Sequence, residues 1–325
     1  MSGLRLVQPG PRTTVQDGGR TGFQHQGLSP GGAADLRAWR WANHLLDNAP
    51  DAACLEITLG NLVAVAETSL LLALTGASCH PRLNDTPVPD WGVFRMEPGD
   101  RLQLGMPGNG LLSYLAVAGG WQTRAFLGSR SAVAREGLAG LGVLHRHDLI
   151  PAPRAPDRRS CENYLRRQVP RPYQGQTSIS DVPLKLIPGP DQSLFTPVDL
   201  MRLVHSAYQV TDQSDRMGYR FEGPSLASPG GVTSRGVTCG TLQIPGDGRP
   251  TVLLNDRQTI GGYPVPGTVP KLDCSRLSQC RPGDRVRFRW SDVAECQAER
   301  MVFEEQMRTL TWSSEGQLIR TRGRR

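Results

Sequence analysis

The chain has 325 residues, which allows two domains, and its 38% hydrophobic and 21% charged residues are typical of a soluble protein. No apolar run approaches the ~18 residues that a membrane span requires. Residues 1–10 lack an apolar signal core, so we expect a cytoplasmic protein without membrane contact. The net charge of +7 comes almost wholly from arginine, but no nucleic-acid-binding module accompanies it, which argues against a nucleic-acid partner.

Short apolar stretches separated by turns predict the strands of a first domain over residues 1–150. One helix is predicted after Ser29, which we expect to cap it, with Pro30 in its first turn and an apolar stripe from Leu36 to Leu46. The predicted strands are Leu4–Val7, Leu55–Leu59, Leu62–Val65, Leu70–Leu74, Arg101–Leu104 and Leu111–Val117.

Residues 151–180 are rich in proline and arginine without an apolar period, which predicts a linker or a long surface segment. A second domain is predicted over residues 181–290, with a short helix from Thr196-Pro197 and strands near 242–244, 251–254 and 286–290. Residues 291–325 are predicted to form a C-terminal helix, over 291–308, and a frayed tail. The high glycine and proline content favours a mainly β protein with a few helices, in which both domains are barrels or sandwiches.

Part of the sequence occurs twice. Residues 4–11 (LRLVQPGP) resemble 184–190 (LKLIPGP), and residues 98–104 (PGDRLQL) resemble 282–288 (PGDRVRF). The two pairs keep their order and nearly their spacing, which indicates a tandem duplication, although Pro-Gly-Asp turns are also common by chance. A duplicated fold forms a cleft between its copies, where ligands tend to bind. We therefore predict that arginine-rich loops of both copies line a shared anion-binding crevice.

Two sequence patterns resemble functional motifs but do not predict a hydrolase nucleophile or a metal site. Residues 27–31 match the hydrolase pattern G-x-S-x-G, but the residue after Ser29 is Pro30, which has no N–H to act as an oxyanion donor. His145 and His147 stand close together, but no further ligand follows at a supporting spacing, so we predict no metal site. The seven cysteines form no C-x-x-C pair, which is typical of reduced thiols.

Two polar blocks of the second domain are the strongest candidates for a binding site. Residues 214–224 (SDRMGYRFEGP) combine acids and arginines around one glycine, and residues 255–264 (NDRQTIGGYP) directly follow an apolar strand. Charged groups after a strand lie where loops display functional side chains, and glycines allow a ligand to approach the backbone. Arginine forks suit carboxylate or phosphate. The alternative is an ion-paired network that holds strand ends together.

The first domain contains counterparts of these blocks. Residues 13–20 (TTVQDGGR) precede His25, and residues 54–60 (CLEITLG) place Glu56 ahead of a glycine. His25 can act as an acid or base near neutral pH, or can be a hydrogen-bonded structural residue. No G-x-x-x-x-G-K-[ST] loop and no Met-Lys-Met biotin attachment site is present. If ATP or biotin enters the reaction, we expect another chain to supply much of that apparatus.

These blocks resemble the family of 5-oxoprolinase C subunits, within the broader biotin-dependent carboxyltransferase or allophanate hydrolase subunit 2 family. The resemblance extends in order from about residue 4 to 295. It rests on the motifs T-V-Q-D-x-G-R, G-x-x-P-G-G-A-x-D, L-E-I-T-L-G, L-A-V-A-G-G with L-G-S-R-S, S-D-R-M-G-Y-R-x-E-G-P and D-R-Q-T-x-G-G-Y-P.

The resemblance implies two tandem cyclophilin-like β-barrels and a complex with partner subunits A and B of 5-oxoprolinase. Together these would hydrolyse 5-oxoproline, a cyclic amide, to L-glutamate with ATP and Mg²⁺, and the chain alone would be inactive. The lactam oxygen would be phosphorylated before water attacks the activated carbon. From the chemistry of the motifs we take His25, Asp215 and Asp256 as catalytic candidates. The candidates for binding substrate or phosphate are Arg20, Glu56, Arg216, Tyr219, Arg220, Arg257, Gln258, Thr259, Gly261, Gly262 and Tyr263.

Two alternatives remain open. The family also contains carboxyltransferase components that move a carboxyl group from carboxybiotin to a urea- or amide-type acceptor. It further includes a non-enzymatic antagonist of an inhibitor of a histidine kinase. The resemblance implies no role for the arginine-rich segment 154–171 or for the tail after residue 308.

Overall fold

The computed structural model describes residues 2–138, 140–174 and 183–321. The helices are α1 (Leu36–Leu45), α2 (Glu162–Leu165), α3 (Pro197–His205), α4 (Lys271–Leu277) and α5 (Val293–Thr309). The strands are β1 (Gly3–Pro9), β2 (Arg12–Gln16), β3 (Cys54–Thr58), β4 (Leu62–Ala66), β5 (Leu70–Gly76), β6 (Arg82–Leu83), β7 (Thr86–Pro87), β8 (Gly92–Met96), β9 (Arg101–Leu104), β10 (Leu112–Val117), β11 (Leu149–Pro151), β12 (Pro183–Pro188), β13 (Ala207–Val210), β14 (Gly218–Glu222), β15 (Arg235–Gly236), β16 (Thr241–Gln243), β17 (Thr251–Leu253), β18 (Ile260–Gly261), β19 (Gly267–Thr268), β20 (Arg285–Trp290), β21 (Leu310–Trp312) and β22 (Leu318–Arg320).

The predicted fold class, mainly β with a few helices, is confirmed. The chain divides into two compact units. Unit 1 comprises Met1–Arg20, Gly31–Thr177 and Phe303–Arg325, and unit 2 comprises Thr21–Pro30 and Ser178–Val302. The predicted domains kept residues 21–30 with the first barrel and set residues 291–325 apart as a C-terminal helix and tail. In the structure, residues 21–30 and 291–302 group with unit 2, and residues 303–325 group with unit 1. No helix among the described residues has both the length and the apolar character needed to cross a bilayer.

Unit 1 contains a six-stranded sheet, in the order β11-β1-β4-β9-β6-β7, and a five-stranded sheet, in the order β2-β3-β10-β5-β8. Its core takes side chains from both sheets, including Leu6, Leu55, Leu72 and Leu115. All seven residues of β5 are buried, as expected for a strand covered on both faces. The six strands predicted here from apolar stretches are present, while β2, β6, β7, β8 and β11 were not predicted.

Helix α1 begins later than predicted. Asp35, not Ser29, is its N-cap, and the Asp35 carboxylate accepts hydrogen bonds from the backbone N–H groups of Arg37 and Ala38. The predicted cap was wrong because serine and aspartate are similarly favourable N-caps, so residue type alone does not distinguish Ser29 from Asp35. Ser29 is fully buried in unit 2, where its hydroxyl donates to the carbonyl oxygen of Arg257 at 2.6 Å.

Unit 2 is built on a closed barrel with the strand order β12-β19-β16-β17-β14-β13-β20. Its core is lined by alternate residues of these strands, among them Leu242, Val252, Phe221 and Phe288. Helix α3 starts as predicted: Thr196 caps it by accepting the N–H of Asp199, and Pro197 occupies the first turn. Helix α4 was not predicted.

The repeated Pro-Gly-Asp sequences form two turns with the same geometry. Gly99 and Gly283 have positive φ angles of 91° and 94°, which glycine adopts readily. Asp100 accepts the N–H of Glu97 at 2.7 Å, and Asp284 accepts the N–H of Arg281 at 2.7 Å. Each turn leads into a strand that pairs antiparallel with an earlier one, β9 with β4 and β20 with β13. The two repeats therefore occupy equivalent local structures in the two units.

The segment predicted to be a linker packs on unit 1 where it is described. Cys161, Arg167 and Val169 are buried, and the Arg167 guanidinium lies 3.9 Å from the centre of the Tyr164 ring. Residues 175–180 lie outside the described residues. Within the predicted tail, residues 310–320 are ordered as a hairpin of β21 and β22, whereas residues 322–325 lie outside the described residues. Trp312 of this hairpin donates a hydrogen bond to His44 Nδ1 at 3.0 Å.

Candidate functional site

The candidate site is a cavity of about 390 Å³ in unit 2. Met217, Phe221 and Leu253 contribute its apolar part. Its polar part includes four residues that were predicted as site residues, namely Asp215, Arg220, Gln258 and Tyr263. Both polar blocks of the second domain therefore contribute to one cavity, whose volume falls within the range of small-molecule sites.

Asp215 is exposed at this cavity and shapes the turn before β14. Its Oδ1 accepts the backbone N–H of Met217 at 2.8 Å and that of Gly218 at 3.3 Å. Arg220 lies on β14 and is also exposed; its guanidinium donates to the amide oxygen of Gln213 at 3.2 Å. Tyr263 is 49% exposed. These three side chains are accessible to a ligand in the cavity.

Arg216 and Asp256 form a buried pair. Arg216 donates from Nε to Asp256 Oδ2 at 3.0 Å and from Nη2 to Asp256 Oδ1 at 2.8 Å. This bidentate contact joins the turn before β14 to the loop after β17. It corresponds to the ion-paired network considered as the alternative for these blocks. Whether Asp256 has a catalytic role and Arg216 a binding role stays a prediction.

Three other predicted residues make structural contacts in unit 2. Arg257 is buried, donates to the carbonyl oxygens of Val237 and Leu254, and has its pKa lowered by burial. The hydroxyl of Tyr219 donates to the carbonyl oxygen of Cys280 at 3.1 Å. Thr259 accepts the N–H of Val237 through its backbone.

The two glycines of the Gly-Gly turn fit tightly packed positions. A Cβ atom on Gly261 would lie 2.6 Å from Nε2 of Gln243, and one on Gly262 would lie 3.0 Å from Oγ of Ser234. Gln243 also lines the cavity and was missed by the sequence analysis. The sequence contained only an indirect indication of Gln243. A glycine pair after a polar block indicates that another group lies close to the backbone there.

The first-domain candidates do not line this cavity. Arg20 is buried in unit 1, where it donates to the carbonyl oxygens of Phe126 and Ser131. Glu56, on β3, accepts the hydroxyl of Tyr114 at 2.7 Å and the N–H of Ala34 at 3.0 Å. Burial raises the pKa of Tyr114 well above its usual range, so this hydroxyl stays a donor.

His25 belongs to unit 2 and is exposed on a short 3₁₀ turn, Gln24–Gln26, where its ring lies 3.2 Å from the Gln26 amide. It does not line the cavity described above. The expectation that loops of both copies share one crevice stays a prediction.

A second polar group in unit 2 surrounds Cys239. Nζ of Lys271 lies 4.0 Å from the Cys239 sulfur and 3.3 Å from Oδ1 of Asn255. A hydrogen bond from Cys274, together with the positive charges of Lys271 and Arg257, lowers the pKa of Cys239 well below its usual range, although burial opposes this. The same contact and burial raise the pKa of Cys274. All seven cysteines are reduced thiols, and Cys239 alone among them is partly exposed.

The family described as carboxyltransferase domain, subdomain A and B, matches residues 26–290. The match covers most of the chain, and the chain belongs to this family. Its sequence is 37% identical to the C subunit of the 5-oxoprolinase of Escherichia coli strain K12, over 95% of this chain and 98% of that protein. The resemblance inferred from the motifs is thereby confirmed.

The chain is also similar to enzymes named for urea. It is 27% identical to the urea amidolyase of Lachancea kluyveri, over 88% of this chain and 17% of that protein. The crystal structure of the Kluyveromyces lactis urea amidolyase has a TM-score of 0.84 and 24% identity over 94% of this chain, and shows the same fold. The chain spans 20% of the length of that structure.

Proposed function

We propose that the chain is the C subunit of an ATP-dependent 5-oxoprolinase, which opens the ring amide of 5-oxoproline to give L-glutamate. The observation that supports this most directly is the 37% identity to the corresponding subunit of the E. coli 5-oxoprolinase, which extends over 98% of that protein. A cavity of small-molecule size lined by four of the predicted site residues agrees with such a role. We further propose that the chain acts only in a complex with the A and B subunits, in the cytoplasm.

Two of the four arginines predicted to hold substrate or phosphate, Arg216 and Arg257, make other contacts. Arg216 is engaged by Asp256, and Arg257 donates to two backbone carbonyls. Within the described ranges, no group of three or more His, Cys, Asp and Glu side chains is placed to hold a metal ion. We therefore assign no step of nucleotide chemistry to these residues and propose that the A and B subunits hold most of the nucleotide site.

Reconstitution tests the proposal. The purified chain, combined with the A and B subunits of the same organism, should convert 5-oxoproline to glutamate with one ADP formed per ring opened. Mixtures that lack any one of the three proteins, or ATP, should form no glutamate. Absence of glutamate from the complete mixture, with a complex demonstrated by gel filtration, would contradict the proposal.

A second candidate is a carboxyltransferase component that transfers a carboxyl group from carboxybiotin to an amide-type acceptor. The similarity to urea amidolyases over 88% of the chain favours it. The two candidates differ in their requirement for biotin. Reconstituted activity that needs a biotinylated partner and bicarbonate, and that is lost when avidin is added, would support the second candidate over the first.

A further inference from the structure

Three polar side chains stand in one row on the outer face of the unit 2 barrel. Gln243 on β16 pairs with Thr251 on β17, and Thr251 pairs with Arg220 on β14. Side chains of directly paired residues lie on the same face of a sheet, and neighbouring strands are roughly 4.8 Å apart. The adjacent row, Leu242, Val252 and Tyr219, faces the core. The row Gln243–Thr251–Arg220, here called the polar row, therefore forms one wall of the cavity.

One end of the polar row is a buried donor without a partner. Gln243 is 2% exposed, and its Nε2 makes no hydrogen bond within the part of the chain that the structure describes. The hydroxyl of Thr211, which also lines the cavity, is likewise buried and makes no hydrogen bond among the described residues. A buried polar atom without a partner is costly, and such atoms in native proteins commonly meet a ligand or water. A side chain on Gly261 would collide with this amide, so the glycine leaves room for it.

The other end of the polar row is positively charged. Among the described residues, Arg220 has no carboxylate within ion-pair distance, and its side chain donates to the neutral amide of Gln213. Most acids around the cavity are engaged locally. Glu222 lies 3.5 Å from Arg249, and Asp215 and Asp247 accept backbone N–H groups in their own turns. Asp212 remains as an exposed acid at the rim.

We propose that this cavity binds a small cyclic amide that carries a carboxylate. Nε2 of Gln243 donates to the ring carbonyl oxygen, and the Arg220 guanidinium holds the carboxylate. The assignment of 5-oxoproline as this ligand rests on the proposed function. The pairing of an amide N–H, which can donate to a carbonyl oxygen, with an arginine at the other end rests on the polar row itself. Gln243 and Arg220 are thus specificity-determining residues of the site.

Three probes separate the two contacts in calorimetric titrations of the full-length chain. 5-Oxoproline has both groups, cyclopentanecarboxylate lacks the amide, and 2-pyrrolidinone lacks the carboxylate. The unmodified chain should bind 5-oxoproline more tightly than either analogue, by roughly fivefold to tenfold for each missing contact. Gln243→Met should abolish the preference over cyclopentanecarboxylate only, and Arg220→Met the preference over 2-pyrrolidinone only.

Gln209→Met is the matched control, because Gln209 lies on the neighbouring strand β13 of the same barrel but does not line the cavity. It should leave all three affinities unchanged. Equal affinity of the unmodified chain for the three probes, no binding of 5-oxoproline to the chain or to its complex, or an undiminished preference in Gln243→Met would overturn the proposal. Intact selectivity without glutamate formation would overturn the proposed function and leave this site standing.

Discussion

The two arginines of the motif Asp215-Arg216-Met217-Gly218-Tyr219-Arg220 have different environments although they lie four residues apart. Arg216 is buried and held by both oxygens of Asp256, whereas Arg220 is exposed at the cavity. Breaking a buried ion pair leaves one charge without its partner in a poorly solvated place, which costs more than losing an exposed pair. At the scale of single residues, the motif therefore combines a structural arginine with one that is accessible to a ligand.

Replacing Asp256 by asparagine should lower the free energy of unfolding by about 3–5 kcal/mol, because the Arg216 charge stays buried without a carboxylate. Urea denaturation measures this change. Glu305→Gln, which breaks the exposed pair of Glu305 with Arg308 on α5, should cost no more than about 1 kcal/mol. If Asp256→Asn abolishes activity of the reconstituted complex while stability is unchanged, Asp256 is catalytic and the structural interpretation is wrong.

Cys239 should be the most reactive cysteine of the protein, because the thiolate is the nucleophile and the other six thiols are buried. Brief treatment with iodoacetamide at pH 6.5, followed by peptide mass mapping, should label Cys239 first. Lys271→Met removes the nearest positive charge and should slow this labelling, while Lys185→Met, a change at the only other lysine, should not. First labelling at another cysteine, or an unchanged rate in Lys271→Met, would contradict this assignment.

Among the elements, the C-terminal hairpin shows how a segment without an apolar period becomes ordered. β21 contacts α1 of unit 1 through His44. Nε2 of His44 donates to the carbonyl oxygen of Leu310 at 2.8 Å, and Nδ1 accepts from the Trp312 indole. Both contacts require a neutral imidazole with its proton on Nε2. Burial lowers the pKa of His44 below its ordinary value, although Asp47 opposes this shift.

The contribution of His44 to the stability of the fold depends on pH. Since the folded-state pKa of His44 lies below the ordinary ~6.5, the unfolded chain takes up a proton at this residue first as the pH falls. The stabilisation by His44 is therefore complete above about pH 7 and decreases below about pH 6.5. His44→Gln should be less stable than the unmodified protein at pH 8, and this difference should shrink towards pH 5.

Urea denaturation of both proteins at intervals from pH 8 to 5 measures that difference. His145→Gln, a change at an exposed histidine, is the control for loss of a histidine in general. A stability difference between His44→Gln and the unmodified protein that is constant over this pH range would show that the His44 contacts do not depend on its protonation state.

The whole molecule consists of two β units, and one family match spans residues from both. The same arrangement makes up 17–20% of the much longer urea amidolyases, whereas it corresponds to nearly all of the C subunit of the E. coli 5-oxoprolinase. Most of the length of those longer proteins therefore has no counterpart in this chain. Reconstitution with the A and B subunits therefore tests the proposed function of the whole chain.

The fold class, most of the longer strands, the cap of α3, the C-terminal helix and the family could all be predicted from the sequence. These features depend on local patterns: apolar alternation, capping residues, Pro-Gly-Asp turns and contiguous motifs. Local patterns also selected the two polar blocks that contribute Asp215, Arg220, Gln258 and Tyr263 to one cavity.

The sequence could not show which polar side chains are engaged by other residues and which are accessible to a ligand, because this depends on the three-dimensional fold. Gln243 carries no motif of its own, and it became a candidate because strand register places it in a row with Thr251 and Arg220. Ser29 was misassigned since its partner, the Arg257 carbonyl, is 228 residues away in the sequence. Gln243 and Ser29 were misjudged for the same reason. Burial and hydrogen bonding depend on groups that are distant along the chain, whereas sequence patterns report only on residues that are close in sequence.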